Sequence, residues 1–91
     1  MKRKTYLITY TERQESSGHP YRFGSAQKHT WNAAVKECLA IVRSRFLERG
    51  TPYSETYKEF SRTDGRFTHG KWGWNTAYDV RLDFELTLIE E

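Results

Sequence analysis

The stretch from Tyr78 to Leu88 does most to restrict what this chain can become. Tyr78, Val80, Leu82, Phe84, Leu86 and Leu88 alternate without a break with Asp79, Arg81, Asp83, Glu85 and Thr87. Successive side chains of an extended chain leave opposite faces, so alternation of this length is the pattern of a half-buried β-strand. A strand with so apolar a face is not stable alone. It needs neighbours in a sheet and a cover over its apolar side.

The cover is visible earlier in the chain. Trp31, Ala34, Val35, Cys38, Leu39, Val42 and Phe46 recur at three- and four-residue steps, the stripe of an amphipathic helix, with Ile41 and Leu47 widening it. Thr30 suits the N-cap, Gly50 suits a left-handed residue past the end, and Pro52 stops continuation, so the helix is expected over Thr30 to Arg49.

The remaining strands follow from local pattern. Lys4 to Thr11 reads KTYLITYT, with Tyr6, Ile8 and Tyr10 on one face and Leu7, Thr9 and Thr11 on the other. Glu12 to Gly18 is expected as a turn or loop. Tyr21 and Phe23 then suggest a short second strand within His19 to Ser25, paired back on the first, with Pro20 confining it to an edge. Ser54 to Thr63 and Arg66 to Trp72 flank Asp64-Gly65, a two-residue hairpin turn. Counting back from that turn sets Arg62 opposite Phe67, Phe60 opposite His69, Lys58 opposite Lys71 and Tyr57 opposite Trp72. Tyr57, Trp72 and Trp74 would then lie under the helix, while Lys58, Phe60, Arg62, Phe67, His69 and Lys71 share the other face. Gly70 and Gly73 are expected to mark a bulge or bend. The expected fold is a single α+β domain over 1–91, one amphipathic helix packed on an antiparallel sheet of four to five strands.

Composition narrows the class. A chain of 91 residues buries only about 60% of its unfolded surface, so one small core is the limit. Hydrophobic residues make up 36% and aromatics 15%, and large rings supply area that the scarce aliphatics do not. The single cysteine, Cys38, forms no internal disulfide and sits on the helix stripe as a small apolar side chain, which points to a reducing, cytoplasmic setting. The basic start Met1-Lys2-Arg3-Lys4 is followed by a segment too short and polar to insert in a bilayer, and no membrane span is expected. A net charge of +3 permits an anionic partner without requiring one.

No motif for catalysis stands out. His19, His29, His69 and Cys38 fall in no close pair of metal-ligand spacing, so neither metal nor cofactor is expected. A small basic protein with histidines could be a ribonuclease, but nothing in the sequence brings two imidazoles together. Gly70-Lys71-Trp72-Gly73 lacks the spacing of a phosphate-binding loop. The stronger constellation is the hairpin row Lys58, Phe60, Arg62, Phe67, His69 and Lys71, which offers cations to phosphates and rings to bases. Asp79, Asp83 and Glu85 on the final strand could neutralise that row. Lys36 and Arg43, with Arg45 and Arg49, form a second basic surface on the helix, interrupted by Glu37 and Glu48. Cavity arguments predict a large cost for Leu82→Ala and a small one for Asp83→Ala.

In overall plan, a short basic start, an aromatic first strand, a polar loop, one amphipathic helix and a closing antiparallel sheet, the chain resembles the small phage-encoded inhibitor proteins, anti-CRISPR proteins among them. Many of those are acidic, whereas this chain is basic. The resemblance implies a non-catalytic binder, monomeric or homodimeric, that blocks a nucleic-acid-processing, CRISPR-type defence complex by surface contact. Its partner is then a protein or a protein–nucleic acid complex. Direct binding of RNA or single-stranded DNA is the alternative.

Overall fold

In a computed structural model, which describes residues 4–47 and 50–90, the chain runs β1 (Lys4–Gln14), β2 (Pro20–Lys28), α1 (Trp31–Arg45), β3 (Tyr53–Thr63), β4 (Arg66–Thr76) and β5 (Val80–Glu90). The basic start Met1 to Arg3 and the expected helical residues Glu48 and Arg49 lie outside the described residues. The strands form one antiparallel five-stranded sheet in the order β2-β1-β5-β4-β3. The alternating strand β5 is therefore central. Helix α1 links the two edge strands and covers one face, an α+β arrangement. Ile8, Leu82, Phe84 and Leu86 from the sheet meet Ala34, Cys38 and Val42 from the helix in the core.

Local chemistry accounts for the element ends. The Thr30 hydroxyl accepts from the Ala33 amide at 3.1 Å, satisfying one of the orphan donors of the first turn. The helix stops at Arg45, earlier than its periodicity suggests, because Phe46 turns into the core against Tyr53 and Gly50 closes the end at φ 68°. Asp64 and Gly65 take φ of 54° and 77°, the double positive φ of a tight hairpin turn. β1 continues through the expected loop to Gln14, pairing Glu12 with Leu82. Tyr78 is 69% exposed in the turn before β5, not on its buried face, because Asp79 adopts φ 66° and the strand begins only at Val80.

The hairpin register differs from the one counted back from the turn. Arg62 lies opposite Phe67, but Ser61 lies opposite His69, leaving Thr68 as an extra residue. A second extra residue, Thr56 in β3, returns the pairing to its first phase between Tyr57↔Gly73 and Glu55↔Trp74. The bulge at Thr68 turns Phe67 toward the helix, where it stacks on Trp31 at 4.7 Å with the planes 12° apart. Between the bulges the β3 side chains change face relative to expectation, Lys58 and Phe60 turning to the helix side and Tyr57 away from it, while His69, Lys71 and Trp72 of β4 keep theirs.

The two glycines inside β4, Gly70 and Gly73, are explained by rings. A Cβ on Gly70 would come within 2.8 Å of Phe60 and 2.9 Å of Trp31, and one on Gly73 within 2.1 Å of Tyr57. Each glycine leaves room for an aromatic ring to lie flat on the strand. The bulges themselves fall at Thr56 and Thr68.

Candidate functional site

The predicted row of Lys58, Phe60, Arg62, Phe67, His69 and Lys71 is not one surface. Phe60 opposes Gly70 and Lys58 opposes Trp72, so these side chains lie on the helix side with Phe67, while His69 and Lys71 share the other side with Glu85. Tyr57, expected under the helix, is also on that other side, opposite Gly73. The physical reason is the Thr68 bulge, which shifts the strand by one residue.

On the helix side the hairpin residues form a packed aromatic cluster. Trp31 contacts Phe60 at 5.0 Å and Phe67 at 4.7 Å, and Phe60 contacts Trp72 at 5.6 Å. The Lys58 ammonium sits 5.1 Å from the Phe60 centroid and 5.0 Å from that of Trp72, and the Arg62 guanidinium 4.3 Å from that of Phe67. These cations cap the rings that were expected to stack on bases. Lys36 and Arg43 are exposed on the helix.

The uncovered face is organised around Asp83. Arg13 and Arg81 stand directly opposite each other on β1 and β5, an unfavourable like-charge pair, and Asp83 is the counterion of both. Its Oδ1 accepts from Arg81 Nε at 3.1 Å and from the Tyr57 hydroxyl at 2.7 Å, and its Oδ2 lies 3.3 Å from Arg13 Nε. The Arg13 contact is an ion pair without hydrogen-bond alignment. Burial and the bond to Asp83 push the Tyr57 hydroxyl up to about 12. Desolvation would lower Arg81, but the charge and hydrogen bond of Asp83 outweigh it and raise it. Lys71 is flanked in register by Glu59 and Glu85, and His69 lies 3.7 Å from Glu85. Arg13, Lys71 and Arg81 are thus matched by Glu59, Asp83 and Glu85. A shallow depression of about 490 Å³ lies here, lined by residues including Thr9, Thr11, Arg13, Tyr57, Lys71 and Arg81.

The clamp corrects the expectation that Asp83→Ala is nearly silent. Its loss would leave Arg13 facing Arg81 and Tyr57 without its acceptor, at a cost of about 1 to 2 kcal/mol after discounting for partial exposure. Urea denaturation of Asp83→Ala checks this; a change within about 0.5 kcal/mol would mean a merely solvated face.

The groups of chemical interest are dispersed. His19 precedes β2 and His29 follows it at the opposite end, its Nδ1 3.3 Å from the Lys4 carbonyl oxygen, while His69 is on β4. Cys38 is fully buried, and burial, helped by Glu37, pushes its thiol up to about 12, far from a thiolate nucleophile. Among the described residues, no group of three His, Cys, Asp or Glu side chains could hold a metal ion. No described helix is long and apolar enough to cross a membrane.

A second arrangement, like the Asp83 clamp, has no local sequence spacing of its own. Glu12 is 2% exposed, and Arg45 donates to it through Nε at 2.7 Å and Nη2 at 2.9 Å. Burial would raise the Glu12 carboxyl, but the bonds from Arg45 and Tyr21 and the charges of Arg45 and Arg22 together hold it below its usual value. Both positions continue apolar series, Tyr6-Ile8-Tyr10-Glu12 and Cys38-Val42-Arg45, and that coincidence was the available signal. No protein-family model, curated protein or solved structure matches the chain.

Proposed function

We propose that this domain is a non-catalytic inhibitor that acts by protein contact, occupying the surface of a nucleic-acid-processing complex of the CRISPR-type defence class. The observation that carries the protein-contact reading is the balance of charge on the uncovered face, with Phe23, 70% exposed, on the edge strand beside it. A phosphate-binding sheet needs surplus cations and open rings. Here the cations on that face are matched by acids, and the rings of the hairpin are packed on Trp31 and capped by Lys58 and Arg62. Mixed charge with aromatic anchors is the composition of a protein interface. The choice of target complex rests on the architectural resemblance alone.

The test is recovery of the tagged protein from a bacterial lysate with and without nuclease, beside incubation of the pure protein with RNA. The expected result is a partner that survives nuclease and RNA that stays intact. Loss of every partner on nuclease treatment would favour the nucleic-acid alternative, and cleaved RNA would restore the ribonuclease reading.

A further inference from the structure

The two edges of the sheet are defended unequally. Strand β3 carries Glu55, Lys58, Glu59 and Arg62 along its length and a bulge at Thr56, features that discourage pairing with another chain. Among the described residues strand β2 pairs only with β1, and its run Phe23-Gly24-Ser25-Ala26-Gln27 contains no charge and no proline. Pro20 and a register shift beside it irregularise only the start of the strand.

We propose that β2 is where a strand of the protein partner adds to the sheet, and that this strand is extended, uncharged at its centre and acidic where it meets Arg22 and Lys28. The proposal rests on the protein-contact reading and specifies its mode. Main-chain bonds to the free edge would supply affinity, and a side chain packed on Phe23 would supply selectivity.

Charge identifies the occupant. No acid occurs between His19 and His29. Arg22 is exposed; its charge acts on Glu12, opposite it on β1, but that carboxylate accepts its hydrogen bonds at 2.7 and 2.9 Å from Arg45. Lys28 lies 3.4 Å from Glu37, and its side chain is 40% exposed. Arg22 and Lys28 are about 20 Å apart along the strand, which sets the spacing of the partner's acids. A second copy fits poorly. In the antiparallel register that pairs the whole uncharged run about Ser25, Arg22 of each copy meets Lys28 of the other, like charges at both ends.

The experiment uses a fluorescent extended peptide of alternating threonine and valine with two glutamates six residues apart, and a matched peptide with lysines in their place. The glutamate peptide is expected to bind, to slow hydrogen exchange at β2 amides, and to bind at least about tenfold more tightly than the lysine peptide. Phe23→Lys places a charge at an exposed site, so it should keep the fold and abolish binding. Of Ser25→Pro and Ala26→Pro, one removes an amide facing β1 and the other an amide facing outward. Whichever stays folded should lose the peptide. Absence of binding, unchanged β2 exchange, equal affinity of the two peptides, or full binding by folded Phe23→Lys would overturn the proposal, and a nuclease-resistant partner would still stand for the protein-contact reading. A homodimer abolished by Phe23→Lys would instead identify the occupant as a second copy and overturn the acidic-partner assignment.

Discussion

Leu82→Ala should destabilise the domain by about 2 to 5 kcal/mol, while Tyr78→Ala should change stability by less than about 0.5 kcal/mol. Both belong to one alternating series, and the fold separates them. Leu82 is fully buried on the central strand, between Glu12 of β1 and Trp74 of β4 and in the same core as Cys38 and Val42. A cavity there is bounded by paired strands on both sides and a helix above, so little can move to fill it. Tyr78 is 69% exposed before the strand begins. Chemical denaturation of the two variants checks the assignment; equal costs would mean that β5 starts earlier than described.

Arg45→Met should cost about 3 to 5 kcal/mol, although an arginine near a helix end would ordinarily be replaced at little cost. The loss arises at Glu12, 2% exposed, whose carboxyl group would be left buried without its bidentate partner. The pair also makes folding acid-sensitive. Because the folded carboxyl lies below its usual value of 4.5, the unfolded chain binds more protons at acidic pH. The contribution is complete above the unfolded value and is lost as pH falls through the folded one. Thermal melts between roughly pH 6 and 3 should show this decline in the parent protein and a shallower one in Glu12→Gln. An unchanged acid slope in Glu12→Gln would remove the pair from the account.

The parts legible in the sequence are those fixed by neighbours along the chain. Alternation in β5, the stripe of α1, the Thr30 cap and the Asp64-Gly65 turn each rest on a few adjacent residues, and each appears in the fold. The hairpin faces were misread because the bulge at Thr68 depends on Trp31, more than thirty residues away, whose indole draws Phe67 to the helix side. One extra residue then divides Lys58 and Phe60 from His69 and Lys71. Arg45 was grouped with the surface cations and Glu12 with a loop, because a buried ion pair between two elements leaves no local spacing of its own. The Asp83 clamp was hidden for the same reason: it depends on Arg13 lying opposite Arg81 across β1 and β5.

The most direct test of contact through protein surface is the salt dependence of the captured complex, measured for the parent protein and for Arg62→Ala and Lys71→Ala. The account predicts a shallow slope of log affinity against log salt that neither substitution alters. A steep slope that falls by about 0.7 to 0.9 with each cation removed would show phosphate contacts and contradict it.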